Sequence, residues 1–303
     1  MFYVTSGSCP SLACPVVLRP KSLFIDRLPT GTGEKVLDRS RPYLIECLNV
    51  KIRILGCYGG VTHYHRVTSF LLDDSVLLDA GTVSEVLGAD ELKKIRAVLV
   101  SHAHWDHIRD LPTLADNLFS LGCRGIALAA VKPVLDVVLA HLFNDKIYPD
   151  FTRIPSPESP VIVPFPLEAE STVVLEGMEI TPVPVSHTVA CTAFLVKKGG
   201  KGFMFTADSG HTERFWKIAR KETGLEFILA DVSFPSRMED VAVMSGHMTP
   251  TMLRARLRSY GLLDRTVYIT HMKPFFCEEI IGEVASMGEK NIRFLEQGET
   301  ITF

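Results

Sequence analysis

Six prolines fall within twenty residues of this chain, Pro149, Pro155, Pro157, Pro160, Pro164 and Pro166 in the segment from Ile147 to Pro166. Each proline ring fixes φ and removes an N–H, so the segment cannot run as regular helix and reads as a stiff extended crossover between two halves. Ahead of it, KIRIL, SFLL and SVLLD are short β-type runs separated by the Gly59-Gly60 and Asp73-Asp74 turns. The pattern then predicts a helix over Ser84 to Ile95, an apolar strand over Ala97 to Val100 and a helix over Leu111 to Leu121. A strand IALAA and a helix over Lys132 to Phe143 complete this half. Behind the crossover, strands are expected near Thr172–Leu175, Glu179–Val185, Thr192–Val196, Phe203–Thr206, Phe227–Ala230, Val267–Thr270 and Ile292–Leu295. Helices are expected at Glu213–Glu222, Pro250–Tyr260 and Cys277–Met287. Each half runs strands first and helices later, which fits an α/β chain with two sheets packed face to face and helices outside. Residues 1 to 50 show little periodicity and read as an irregular extension packed on a main domain of residues 51 to 303. No short repeat is present.

Apolar residues make up 47% of the chain and charged residues 22%, an ordinary balance for a globular protein with material for a core. The net charge of -3 and the lack of a Lys/Arg run exclude the basic face that grips a polyanion, while leaving a small anionic substrate compatible. Seven cysteines are scattered without a CxxC pair, as in a cytoplasmic protein with reduced core thiols. The first residues lack a basic stretch and carry Pro10 and Pro15, a poor secretory signal. No apolar run reaches the roughly 20 residues that cross a bilayer as a helix.

The densest chemical signal is Ser101-His102-Ala103-His104-Trp105-Asp106-His107, directly after the strand Ala97 to Val100. Imidazoles and carboxylates suit zinc and similar divalent ions, and the i, i+2 spacing lets His102 and His104 point to one side of an extended loop. Asp106 and His107 can then serve a second ion nearby. Three further donors each sit just beyond the end of an expected strand: His187 in PVSHT, Asp208 in FTADSG and His271 in YITHMKP. Loops leaving a rigid sheet can converge on one cleft.

The order HxHxDH, then His, Asp and His, resembles the metallo-β-lactamase superfamily over about residues 51 to 303. The resemblance implies an αββα sandwich of two packed mixed sheets with helices on the outer faces. It implies that His102, His104 and His187 bind a first metal, that Asp106, His107 and His271 bind a second, and that Asp208 bridges them. Two divalent ions, zinc before manganese or iron, would share a bridging hydroxide that attacks the substrate. The acidic residue that the flavodiiron branch carries at the position of His104, and the Cys common in true β-lactamases at that of Asp208, are both missing here.

Two more segments bear on the substrate, LADVSFP with Asp231 and SGHMTP with His247. An imidazole held and charged by a carboxylate can protonate a departing alkoxide, and a ribose hydroxyl is a poor leaving group that needs this help. The pair is similar to the acid/His element of the phosphodiesterase branch, and DVSFP, SGHMTP, YITHMKP and the stretch HLFNDKIYPDF resemble class II cyclic-nucleotide phosphodiesterases. That resemblance implies hydrolysis of 3′,5′-cyclic nucleotides, with Asp106, Asp231 and His247 as catalytic residues and Asn144 and Tyr148 facing substrate. Trp105 and Ile108-Arg109-Asp110 depart from that class's usual HLDHxxG. Asp110 reads as the start of the next helix, His141 as structural, and His63, His65 and His211 as solvated side chains or substrate contacts. The rivals are a tRNase Z-like endoribonuclease, for which no basic arm is visible, and a thioester or lactone hydrolase, in which Asp231 and His247 would be idle. A sensor that has lost catalysis is the rival outside the enzymes. The expected partner is a small cyclic nucleotide, with no stable nucleic acid or membrane partner and with a homodimer compatible.

Overall fold

Strand formation follows from runs of β-branched and large apolar residues whose two faces are both covered, which gives near-continuous hydrophobic strands rather than strict alternation. The structure is a computed structural model that describes residues 50–303. The first half supplies β1 (Lys51–Gly56), β2 (Ser69–Leu72), β3 (Val76–Leu78), α1 (Ala89–Leu92), β4 (Ala97–Leu99), α2 (Trp105–Ile108), α3 (Leu111–Ser120), β5 (Ile126–Val131), α4 (Lys132–His141) and β6 (Ile162–Leu167). The second supplies β7 (Val173–Leu175), β8 (Met178–Val185), β9 (Cys191–Lys198), β10 (Lys201–Phe205), α5 (Glu213–Lys221), β11 (Leu225–Asp231), α6 (Glu239–Ser245), α7 (Pro250–Tyr260), β12 (Thr266–Thr270), α8 (Cys277–Met287), β13 (Ile292–Phe294) and β14 (Thr300–Thr302).

These strands form two seven-stranded sheets, ordered β14-β1-β2-β3-β4-β5-β6 and β13-β12-β11-β10-β9-β8-β7. Each sheet is mixed, antiparallel where hairpins connect neighbours and parallel where helices intervene, as in β3-β4-β5-β6 and β10-β11-β12-β13. Side-chain parity sorts the core into three layers. Phe70 from one sheet and Phe205 from the other meet edge to face at 5.6 Å between the sheets. Leu128 and Val98 turn outward under Leu114 and Val138 of α3 and α4. Met204, Ile228 and Val267 turn outward under Trp216, Leu253 and Ile280 of α5, α7 and α8. The expected αββα sandwich is therefore the observed architecture.

Two expectations are corrected. The helix foreseen over Ser84 to Ile95 shrinks to α1, because the Asp110 carboxylate accepts the N–H groups of Val83 (2.8 Å) and Ser84 and holds that stretch as turns. Asp110 does precede α3, but its carboxylate serves this loop and makes no cap bond to its own helix. The end of the proline-rich crossover is a strand, β6, at the edge of its sheet. Pro164 and Pro166 share the parity of Ile162, whose N–H turns away from β5 to Phe151 O at 3.1 Å, so neither proline deprives the β5–β6 ladder of a donor. Three further elements, α2, α6 and β14, escape the sequence pattern because two are short and the third lies among turn residues. The expected extension of residues 1–50 lies outside the described residues except for Val50. Among the described residues no helix is long and apolar enough to cross a membrane, and Cys57, Cys123, Cys191 and Cys277 form no disulfide.

Candidate metal centre

The parallel halves of both sheets release their chains at one end, the general place for ligand sites in α/β sheets. His102 follows β4 in extended backbone, and His104, also extended, precedes α2, whose first turn carries Asp106 and His107. His187 leaves β8, Asp208 follows β10, Asp231 ends β11 and His271 follows β12.

All seven expected metal-binding residues converge. One atom each from His102, His104, His187 and Asp208 lies within 4.8 Å of the others, and the same holds for Asp106, His107, Asp208 and His271. Asp208 belongs to both groups: its Oδ1 is 3.3 Å from His107 Nε2, and its Oδ2 is 3.5 Å from His102 Nε2 and 3.3 Å from His271 Nε2. Asp106 Oδ2 is 3.2 Å from His271 Nε2. Ring nitrogens also face each other, His187 Nε2 and His104 Nδ1 at 3.1 Å and His107 Nε2 and His271 Nε2 at 3.2 Å. The buried Nε2 of His102 has no hydrogen-bond partner among the described residues. Lone pairs packed against lone pairs, beside an orphaned buried nitrogen, are the arrangement a divalent cation satisfies, and N/O donors suit zinc-like ions. The residues therefore fit metal binding.

The far side of most imidazoles is tied down, which fixes tautomer and ring orientation. His107 Nδ1 bonds Asp79 Oδ2 at 2.8 Å, His102 Nδ1 bonds Ser101 Oγ at 3.0 Å, His187 Nδ1 bonds Gly246 O at 3.0 Å and His271 Nδ1 bonds Ser233 Oγ at 2.9 Å. Asp79 also accepts both the N–H and the hydroxyl of Ser101 at 2.8 Å. Three non-glycine residues of this region, Asp79, Ala207 and His271, hold positive φ of 57°, 52° and 65°, strain that packing must maintain. Gly246 is required twice over. Its φ is 69°, and a Cβ there would lie 2.8 Å from His187 Nδ1.

Electrostatics follow from burial. Burial, and then the neighbouring His107, hold His102 well below the ordinary imidazole value. Burial opposes charge on His107 too, but the Asp208 and Asp79 carboxylates outweigh it and raise that imidazole well above its usual range. Burial likewise disfavours an ionised Asp208, yet His271 and His107 hold its carboxyl well below the usual carboxylate range.

Asp231 and His247 form a separate buried pair alongside. His247 Nδ1–H donates to Asp231 Oδ2 at 2.9 Å, and the two imidazoles of His247 and His271 stack with centroids 5.3 Å apart. Ser233 Oγ–H donates to Asp231 Oδ1 at 2.7 Å while the same oxygen faces His271 Nδ1, so one hydroxyl links the pair to the metal group. Burial lowers the basicity of His247, and the charge of Asp231 more than restores it.

The remaining sequence candidates are not drawn into the cluster. Asn144 bonds Ala140 O and the N–H groups of Lys146 and Ile147, all within its own turn. Tyr148 packs on Phe151 in the outer core of the first sheet. His211, His63 and His141 are exposed, the last at the end of α4. His65 bonds Thr62 Oγ1 at 2.6 Å and stacks edge-on against Tyr58 at 4.4 Å. Conversely, the structure adds Asp79, Ser101 and Ser233 to the site. The one available signal for Asp79 is an acid closing an apolar strand just before Ala80-Gly81. Asp79→Asn is expected to weaken metal binding about 10- to 100-fold, the usual cost of losing an outer carboxylate on a ligand imidazole. Titration against a competing chelator measures it, and unchanged affinity would remove Asp79 from this role.

The comparisons agree with this geometry. A family model described as the beta-lactamase superfamily domain matches residues 75–272. The chain is 26% identical over 258 residues to the probable metallo-hydrolase YhfI of Bacillus subtilis, covering 80% of this chain and 96% of that protein. It is 25% identical over 245 residues to a probable 3′,5′-cyclic-nucleotide phosphodiesterase of Yersinia pestis, covering 70% of this chain and 69% of that protein. The crystal structure of unliganded yeast PDE1 shares its fold with a TM-score of 0.71 at 17% identity, over 84% of this chain and 99% of the other. With the sandwich, the seven converging donors and the matched span all in place, the chain belongs to the metallo-β-lactamase superfamily of hydrolases.

Proposed function

We propose that this hydrolase is a phosphodiesterase that opens 3′,5′-cyclic nucleotides to 5′-nucleotides, with two divalent ions, zinc first, held at the seven-residue centre. The observation that carries the reading is the buried Asp231–His247 pair stacked on the metal group. Relatives named as cyclic-nucleotide phosphodiesterases support it.

His102, His104 and His187 with Asp208 would hold one ion, and Asp106, His107 and His271 with Asp208 the other. When bound, such ions supply Lewis-acid charge and an acidified water. The chain's own contribution lies around them. Asp79, Ser101, Ser233 and the Gly246 carbonyl orient four imidazoles and turn their inner nitrogens toward the shared Asp208 cluster. Asp231 anchors His247 through Nδ1, so Nε2 is the nitrogen that gives its proton to the ribose 3′-oxygen as the P–O bond breaks. A thioester or lactone hydrolase would have no use for this proton donor.

The test is hydrolysis of 3′,5′-cyclic AMP and cyclic GMP by metal-replete protein, beside a chelated control, 2′,3′-cyclic nucleotides and a tRNA precursor. Turnover of the 3′,5′ compounds that the chelator abolishes is expected. Turnover of the tRNA precursor alone would discard the substrate assignment.

A further inference from the structure

A cavity of about 330 Å³ is lined by His63, Tyr64, His65, Arg66, Glu85 and Arg109. Its volume falls at the lower end of small-ligand sites, roughly 300 to 1,000 Å³. Two connections link its lining to the donor cluster. On one side, Tyr58 carries the His65 ring against its own and is bridged to Met272, next to His271. A Cβ on the adjacent Gly59 would lie 2.6 Å from His271 Nδ1. On the other, Arg109 continues the turn of α2 that carries Asp106, and residues three apart on a helix are surface neighbours. Trp105, 60% exposed, opens the same short helix.

The lining has a definite chemistry. Tyr64, 76% exposed, and His63 offer flat rings, the surfaces on which bases stack. Arg109 Nη2 donates to Glu85 Oε1 at 2.6 Å, which sets a forked donor and an acceptor side by side at the cavity wall. Adenine presents the complement on one edge, N7 as acceptor beside the N6 amino donor, whereas guanine presents two acceptors there and would face the Glu85 carboxylate. Among the described residues, the one side-chain bond of Arg66 is from Nε–H to Leu55 O at 2.7 Å, which keeps its positive charge beside the same wall.

We infer that this cavity is the base subsite, taking the adenine ring of a nucleotide whose phosphodiester lies at the metal centre, with Arg109 and Glu85 reading its N7/N6 edge. The inference rests on the cyclic-nucleotide reading above. It makes the departure from the HLDHxxG pattern functional, since Arg109 falls in the segment that differs.

The experiment compares Arg109→Ala, Arg109→Lys and Glu85→Ala with the parent protein, each metal-replete and checked for folding by circular dichroism. Kinetics use 3′,5′-cyclic AMP, cyclic GMP and the base-free diester bis(4-nitrophenyl) phosphate, and calorimetry measures 5′-AMP binding. Expected are a rise in KM for cyclic AMP and a loss of 5′-AMP affinity of about tenfold or more, the scale of one bidentate base contact. The preference for cyclic AMP over both other substrates should fall with it. Arg109→Lys keeps the charge without the fork, so it should not restore the preference. Should parent and variants hydrolyse cyclic AMP with the same KM and the same preference, the subsite is overturned while the phosphodiesterase reading stands. Hydrolysis of bis(4-nitrophenyl) phosphate with no turnover or binding of adenine nucleotides would overturn both.

Discussion

His247→Ala should lower kcat for a 3′,5′-cyclic nucleotide by about 10²- to 10⁴-fold, the range supplied by a placed general acid, without loss of metal. The side chain meets the donor group through stacking on His271 and an edge-to-face contact with His187, and the Nδ1 atoms of both keep their own bonds, to Ser233 Oγ and to Gly246 O. Asp231 also keeps partners, accepting from Ser233 Oγ at 2.7 Å and from the Ser209 N–H at 3.3 Å, so no uncompensated buried charge is created. The decisive comparison is leaving-group dependence. A ribose oxygen departs as a strong base and needs a proton, whereas 4-nitrophenolate is stable as an anion. The variant should therefore lose far more activity on the cyclic nucleotide than on bis(4-nitrophenyl) phosphate. Equal losses on both substrates, with metal content intact, would falsify the acid role of His247 and leave it a packing residue.

Asp208→Ala should have the larger effect on the centre itself. Asp208 alone belongs to both the His102–His104–His187 group and the Asp106–His107–His271 group, through Oδ1 toward His107 and Oδ2 toward His102 and His271. Removing it also removes the negative charge that offsets imidazoles packed ring against ring. Metal per chain, measured after dialysis, should collapse at both positions together. Turnover should fall roughly 10⁴-fold or more, as when a member of a concerted catalytic unit is lost. His104→Ala is the control, since it withdraws a donor from one group only and should leave part of the metal bound. Retention of the parent metal content by Asp208→Ala would show that the two groups do not share this carboxylate.

The seven converging donors were legible because each stands immediately past an apolar strand, where the sheet, not a long loop, decides its position. His102 to His107 follow β4, Asp208 follows β10 and His271 follows β12, so patterning placed each at a strand end and the resemblance to the superfamily grouped them. The residues that orient them were not legible. Ser233 is one hydroxyl among many, and its importance arises from Asp231, His247 and His271 meeting around it across separations of 2, 14 and 38 positions. Asp79 is likewise silent until α2 folds back over it and His107 reaches it from 28 positions away. The substrate-side candidates show the opposite failure. Asn144 sits in a motif resembling a family stretch, yet its amide is consumed by its own turn. The lost helix over Ser84 to Ile95 has a related cause, because periodicity cannot register that Asp110, far along the chain, captures the N–H groups a helix would have needed.

The prolines of β6 also bear on what the sandwich can do in a crowded solution. A sheet edge normally presents a row of N–H and C=O groups that can template another chain, and proteins must blunt it. On the outer side of β6 the donor row is empty at Pro164 and Pro166, and the Ile162 donor is already spent on Phe151. An incoming strand would find acceptors there but no matching donors in register, so this margin of the sheet resists edge-to-edge growth and aggregation.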